Sequence, residues 1–343
     1  MSDTDSPDIA AVASLPPNLS RRGLVHPRFD ARLQEEFHRN WGLMAIRATA
    51  AYEAGATGRG VTIAIIDTGI ETAPPDVLRN VSPDSIDLIQ DRRDSGVRTH
   101  GARIASALAA AQDGAGIIGV APEVTVLSVR ADLDLPCRKA GCLLTGSHVA
   151  RGIDYALAQG AQVIILSLAG GKPLTSLEPA LERAAKAGAV LVVAAGNEGG
   201  HQTAWPARYG ADPRLADSIM AVGAATRAGT LAKFSNRAGK ARDRYLIAPG
   251  DKINVECDAH HCEQESGTSF ATAYVAGAIA LLLDAFPALD AQTAARLLLD
   301  CAHDMGQSGV DAVTGHGHID LAKAFDRART LSNRELAADF PTS

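Results

Sequence analysis

The amino-acid sequence predicts an α/β domain, a doubly wound, mostly parallel sheet with helices on both faces. Two observations carry that expectation. Four short apolar runs, Val61-Thr-Ile-Ala-Ile-Ile66, Val124-Thr-Val-Leu-Ser-Val129, Val163-Ile-Ile-Leu-Ser-Leu168 and Val190-Leu-Val-Val193, are continuous rather than alternating, as strands covered on both faces are. Helix-spaced segments at 100–111, 147–159 and 177–187 precede the last three runs, and strand, helix, strand in that order demands right-handed crossovers between parallel strands.

The chain has 343 residues, enough for one large domain. Aromatic residues supply only 4% of it against 46% hydrophobic in all, so the core must be built from Ala, Val, Leu and Ile. A formal net charge of −6 provides no field to gather polyanions, which argues against nucleic-acid binding and against an anionic membrane surface. The longest apolar stretch, 275–283, is too short for a helical bilayer span of roughly 20 residues. Asp3, Asp5 and Asp8 occupy the start of the chain without an apolar block, so no secretory signal is recognisable.

Residues 1–40 are polar and punctuated by Pro7, Pro16, Pro17 and Pro27, which predicts an extended arm. A helix is expected over 42–53, stopped by Gly55, Gly58 and Gly60. Gly160 and Gly188 close the helices at 147–159 and 177–187 as left-handed C-caps. The final third supplies a long apolar helix over 268–286 and amphipathic helices near 291–300 and 320–329. The expected division is an arm over 1–40, a catalytic domain over 41–330 and a tail over 331–343.

Cys137 and Cys142 stand five apart, as do Cys257 and Cys262, while Cys301 is alone. Equal short spacings read as two loop-closing disulfides, which persist in oxidising compartments. Reduced thiols of a cytosolic enzyme are the plainer alternative. A metal site of Cys257, His260, His261 and Cys262 fits no common zinc spacing.

In an open parallel sheet, functional groups gather where the strands end. Asp67 follows the first run, Ala194-Ala-Gly-Asn-Glu-Gly199 follows the fourth, His100-Gly101 opens a helix, and Ser266-Gly-Thr-Ser-Phe-Ala271 leads into the long one. A serine hydroxyl needs an imidazole to take its proton and a carboxylate to fix the imidazole tautomer. Ser269 is therefore the expected nucleophile, His100 the proton shuttle and Asp67 its orienter. The Asn197 carboxamide and the Ser269 N–H are the expected oxyanion donors. Each piece alone is an ordinary cap or packing residue. The chain order Asp, His, Ser, without a Gly-x-Ser-x-Gly elbow, separates the pattern from the α/β-hydrolases.

Together these segments resemble the subtilisin-like serine proteases. Val61-Thr-Ile-Ala-Ile-Ile-Asp-Thr-Gly-Ile70 is similar to that family's Asp motif, Thr99-His-Gly101 to its His motif, Ala194-Ala-Gly-Asn-Glu-Gly199 to its oxyanion motif and Gly267-Thr-Ser-Phe-Ala-Thr272 to its Ser motif. Gly119-Val-Ala-Pro122, Ala248-Pro-Gly250 and Val275-Ala-Gly277 match between them, so the resemblance runs from Trp41 to Ala328. The Trp41-Gly-Leu43 entry and the insert holding Cys137 and Cys142 are most similar to bacterial extracytoplasmic subtilases of the autotransporter-passenger kind.

The resemblance implies a serine endopeptidase acting on polypeptides through an acyl-enzyme. An extended substrate is expected along Ser167, Leu168, Ala169 and Gly170, beside Ala194, Ala195 and Gly196; the facing edge has no assignment from sequence. Family members usually carry Gly where Ala169 stands, and the added methyl is expected to narrow specificity. Arg103, one turn beyond His100, departs from the His motif and is expected to face solvent; Ala273 replaces the usual Pro after the Ser motif. The resemblance also implies structural calcium at Asp76 and at Asp113 in the Gln112-Asp-Gly-Ala-Gly116 turn, with an ordinary capped turn as the alternative. A monomer is expected, secreted or periplasmic if the cysteines are paired and cytoplasmic if they are not. The arm is too short for a folding prosegment of domain size, and is expected to pack on the domain or to be removed by self-cleavage. Rival readings are a catalytically silent peptide-binding module and a processing protease or peptide ligase with one dedicated partner. His148, His201, His303, His316 and His318 are read as packing or surface residues.

Overall fold

A computed structural model describes residues 31–93, 100–137, 141–258 and 261–339. Seven strands form one parallel sheet: β1 (Thr62–Asp67), β2 (Ile86–Asp87), β3 (Thr125–Arg130), β4 (Val163–Leu166), β5 (Val190–Ala194), β6 (Ile219–Ala225) and β7 (Tyr245–Pro249). Their order is β2-β3-β1-β4-β5-β6-β7. An antiparallel hairpin pairs β8 (Ile253–Val255) with β9 (Glu263–Glu265). The helices are α1 (Ala31–Arg39), α2 (Trp41–Ala45), α3 (Thr49–Glu53), α4 (Pro75–Leu78), α5 (His100–Ala109), α6 (Gly146–Ala158), α7 (Glu178–Lys186), α8 (Thr268–Ala285), α9 (Ala291–Asp300) and α10 (Leu321–Asp339).

The continuous apolar strands are explained by cover on both faces. Ile63 and Ile65 of β1 join a core with α5, α8, α9 and α10, while Ala64 and Ile66 join a second core with α6 and α7. Successive side chains of a strand point to opposite faces, so both parities must be apolar. The helix α8 passes through the first core with every residue from Thr268 to Leu283 buried. Among the described residues it is the one helix long and apolar enough to cross a membrane, and here that apolarity serves the protein interior. Gly160 and Gly188, at φ 75° and 76°, adopt the left-handed conformation expected of them as helix stops.

Three expectations change. Residues 31–39, part of the expected extended arm, form α1, which docks on the body: Phe37 packs edge-on against Tyr52 with ring centroids 6.1 Å apart, and Asn40 Nδ2 donates to the Ile118 carbonyl at 2.8 Å. The rest of the arm, 1–30, lies outside the described residues. The single helix expected over 42–53 is split into α2 and α3 around Arg47, whose φ of 61° no helix accommodates. α10 runs on to Asp339, so the expected tail boundary at 331 falls inside a helix. One interior strand of the sheet, β6, went unforeseen, as did the edge strands β2 and β7. β6 is Ile219-Met-Ala-Val-Gly-Ala-Ala225, poor in β-branched residues, and it is a strand because β5 and β7 pair with it on either side.

Candidate active site

The strand order turns at β1, with β3 on one side and β4 on the other, and a crevice opens at the carboxyl ends of strands at such a point. Asp67, the last residue of β1, lies there with 3% of its surface exposed. Its Oδ1 accepts the Thr68 N–H at 2.7 Å and the His100 Nδ1–H at 2.8 Å. A carboxylate acceptor at Nδ1 leaves Nε2 as the unprotonated nitrogen of the neutral ring. His100 opens α5, and Gly101 lets it come this close: a Cβ at 101 would strike the Gly69 carbonyl oxygen. Thr68 Oγ1 in turn accepts the Gly101 N–H at 3.2 Å.

His100 sits low in the crevice, yet 42% of its side chain is open to the groove. Burial alone would lower its proton affinity, but the charge and hydrogen bond of Asp67 outweigh this and hold the imidazole above its ordinary value. Glu265 adds to the rise and Arg103 opposes it. Phe270 meets the ring edge-on with centroids 6.4 Å apart.

Ser269 lies in the first turn of α8 and is 7% exposed. Its hydroxyl points to the Ser167 carbonyl oxygen at 3.5 Å, the outer limit of a hydrogen bond, and among the described residues no hydrogen bond joins it to His100. Catalytic contacts of this sort are often long in a free enzyme and tighten when substrate arrives. The Ser167 hydroxyl donates to the Ser269 carbonyl at 3.2 Å and pairs with Thr272 Oγ1 at 2.9 Å, which fixes the end of β4 to the start of α8.

Asn197 is exposed, and its carboxamide is not free to flip. The Thr268 N–H and hydroxyl both donate to Oδ1, at 2.9 and 3.0 Å, so the Nδ2 donors are turned away from them. Thr268 Oγ1 also accepts the Gly196 N–H at 3.2 Å. Gly196 stands at φ 103°, and a Cβ there would meet the Asn236 carboxamide, so only glycine suits this bend. Asn236 braces the same turn, donating to the Ala195 carbonyl at 3.1 Å and to Glu198 Oε2 at 2.7 Å.

Asp67, His100, Asn197 and Ser269 line one groove of about 460 Å³. Of the expected substrate residues, Ser167, Leu168, Ala169, Gly170 and Ala194 line it as well, whereas Ala195 and Gly196 are buried and do not line it. Gly170 has both backbone groups engaged, with N–H to O distances of 2.8 and 2.9 Å to and from Trp205, so the open backbone edge ends before it. Besides Leu174, the groove residues that sequence assigned neither to a motif nor to substrate binding are Gly141, Cys142, Leu143 and Leu144. They belong to a loop pinned at its base by the Asp132 to Leu144 bridge and closed by the Cys137–Cys142 disulfide. Leu143 and Leu135 on this loop are 61% and 53% exposed.

The structure pairs Cys257 with Cys262 and leaves Cys301 free. Both sulfurs of the suggested thiolate metal site are thereby used, and His260 lies outside the described residues. Arg103, expected in solvent, is instead held by Glu256 and Glu265. The five histidines read as packing or surface residues are absent from the groove wall; His318, for one, is buried and bonded to the Ile319 carbonyl at 2.9 Å.

Asp76 and Asp113 are joined by a third carboxylate that sequence did not single out. Glu36 of α1 is buried, accepts the Gly114 N–H at 3.0 Å through Oε2, and leaves Oε1 buried without a partner among the described residues. Burial pushes its carboxyl up to about 7, with Asp113 and Asp76 adding repulsion. Burial likewise raises Asp76, helped by Asp113, while Arg79 holds Asp113 at 2.7 Å.

A buried carboxylate bonded to an imidazole, a helix-start serine and a braced carboxamide, all lining one groove, are the groups that a hydrolase of the Ser-His-Asp kind requires. Residues 58–317 match the Subtilase family, and the chain belongs to it. It is 33% identical to Subtilisin BL of Lederbergia lenta over 242 residues, 71% of this chain and 83% of that protein. It is 33% identical to Subtilisin E of Bacillus subtilis over 257 residues, 72% of this chain and 61% of that one. A mutant of the protease domain of PatA superposes with a TM-score of 0.67 at 27% identity, covering 79% of this chain and 96% of that one. The prenylagaramide maturation protease PagA also gives a TM-score of 0.67, over 82% and 98% of the two chains, and at 24% identity it shares the fold. The protein is a serine endopeptidase of subtilisin type.

Proposed function

We propose that this chain hydrolyses peptide bonds through Asp67, His100 and Ser269, with Asn197 in the oxyanion site. The observation that carries the reading is the 2.8 Å bond from His100 Nδ1 to buried Asp67, made on the wall that also presents Ser269. Ser269 Oγ adds to the scissile carbonyl carbon and its proton passes to His100 Nε2. Asp67 stabilises the imidazolium so formed. The carbonyl oxygen becomes an oxyanion, met by Asn197 Nδ2–H and by the Ser269 N–H, a first-turn group of α8 with no acceptor inside the helix. Collapse expels the amine with the proton from His100, and water, deprotonated by the same ring, releases the acid. Four leucines, Leu143, Leu144, Leu168 and Leu174, line the groove and favour apolar side chains in an extended polypeptide. Retention of all four catalytic groups in bonding contexts disfavours a silent binding module. Incubating an unfolded polypeptide with wild type and with Ser269→Ala tests this: new amino termini must appear with the first alone, and fragments from both would defeat it.

Calcium is the proposed structural ion. Glu36, Asp76 and Asp113 would hold it, the orphaned Glu36 Oε1 and the oxygens of the 112–116 turn being the hard donors that this cation takes. Bound there, it would offset the mutual repulsion of the three carboxylates and tie α1 to the body. Two disulfides fit an extracytoplasmic setting. The proposed catalytic unit runs from 41 through the end of α10 at Asp339, with α1 as a docked element before it.

A further inference from the structure

Arg103 is where the chain departs from its family's His motif, and the side chain is 24% exposed. It donates to Glu256 at 3.0 Å and forms a second ion pair with Glu265. The two carboxylates come from the two limbs of one hairpin, since Glu256 follows β8 and Glu265 ends β9. One turn further along α5, Ser106 Oγ accepts the Glu256 N–H at 3.0 Å. The Cys257–Cys262 disulfide closes the same hairpin.

Chain position gives this contact its meaning. Arg103 stands one turn from His100 on α5, and Glu265 stands four residues before Ser269. The intervening residues are themselves fixed: Ser266 Oγ donates to Asp251 at 2.9 Å, and the Gly267 N–H donates to the Gly250 carbonyl at 2.8 Å. The ion pair therefore bridges the helix that carries the imidazole to the turn that carries the hydroxyl.

We propose that Arg103 and Glu265 are positioning residues for proteolysis, a charged clamp that holds the His100 helix in register with the start of the Ser269 helix. The inference rests on the catalytic reading above. Register matters because a shift of ~1 Å between reacting groups can cost roughly hundredfold in rate. The Ser269 hydroxyl reaches His100 only after leaving the Ser167 carbonyl, so the placement of α5 against α8 sets how far it must travel.

The same pair acts on His100 electrically. The groups that bear on its protonation are Asp67 from β1, Glu265 from β9 and Arg103 from its own helix; the first two favour the charged ring and Arg103 opposes it. Removing Glu265 must lower the proton affinity of His100, and removing Arg103 must raise it. A loss of mere stability moves neither in a set direction.

The test is kcat and KM against pH for the full chain as wild type, Arg103→Gln, Glu265→Gln and Arg103→Lys, after wild type has been shown to react with a fluorophosphonate. The clamp predicts a fall in kcat of roughly ten- to hundredfold in both Gln variants with little change in KM. It predicts that the acid limb of kcat/KM moves to higher pH in Arg103→Gln and to lower pH in Glu265→Gln. Arg103→Lys keeps the limb and part of the rate, having the charge without the fork. Wild-type kcat in both Gln variants, or limbs that move the same way, would overturn the clamp while a labelled Ser269 leaves the catalytic reading standing. Failure of wild type to label removes that reading instead. If a single variant does not fold, Arg103→Gln combined with Glu256→Gln and Glu265→Gln strands no charge of the cluster; low kcat with a limb near wild type supports the clamp, and wild-type kcat refutes it.

Discussion

Thr268→Val deletes one buried oxygen and keeps the shape of the side chain. That oxygen donates to Asn197 Oδ1 at 3.0 Å and accepts the Gly196 N–H at 3.2 Å. Asn197 keeps its second tether, the Thr268 N–H at 2.9 Å. Losing one neutral hydrogen bond of about 1 kcal/mol from the group proposed to meet the oxyanion should slow kcat about fivefold. Deleting the donor itself, in Asn197→Ala, should cost on the order of 10²–10³. The stranded Gly196 N–H should cost about 1–3 kcal/mol of stability, read as a lower Tm by about 2–4 °C per kcal/mol. Steady-state kinetics on a chromogenic peptide and calorimetric melting give the two numbers. An unchanged kcat beside a lowered Tm would show that Thr268 supports the fold without orienting Asn197, and the reasoning would fail.

Asp67→Asn should leave the fold intact, lower kcat by about 10⁴, and move the acid limb of what activity remains to lower pH, because Asp67 is the chief group raising His100; a limb that stays in place contradicts the assignment. Glu36 makes stability depend on pH when calcium is withheld. Its folded value of about 7 stands above the ordinary 4.5, so the folded chain keeps a proton that the unfolded chain releases between those pH values. The stability is fully present below pH 4.5 and falls by about 3 kcal/mol as pH rises through 7. Glu36→Gln should flatten that decline in melts at pH 5 and pH 8 and should abolish any gain in Tm from added calcium; a decline of equal size in the variant refutes the role. Replacing Cys137 and Cys142 with Ser should raise KM for long peptides that reach Leu143 and leave hydrolysis of a short ester unchanged, whereas equal effects on both substrates would place the loop outside substrate binding.

What the sequence revealed was whatever depends on near neighbours. The runs around Ile63, Val126, Ile164 and Val192 read as buried strands because burial on both faces leaves no polar parity, and all four lie within the sheet. Asp67, His100, Asn197 and Ser269 were legible because each has glycines or a strand end beside it, and the structure brings them to one groove. What stayed hidden depends on partners far along the chain. Thr268 looks like an ordinary cap until Asn197, 71 residues away, is seen on it. Glu36 sits in a polar segment with no local mark, and its burial arises only where α1 meets the Gly114 turn. Arg103 was expected in water because the two carboxylates that hold it are 153 and 162 residues distant. Likewise the pairing of Gly170 with Trp205 shortens the substrate edge through a contact that no periodicity announces.

The rate and place of phosphonylation test the activated alcohol most directly. Treating wild type, Ser269→Ala and His100→Ala with a fluorophosphonate and mapping the adduct by peptide mass should find a single adduct at Ser269 in wild type, none in the first variant, and a far slower reaction in the second. An adduct on another residue, or equal labelling rates with and without the imidazole, would contradict the account.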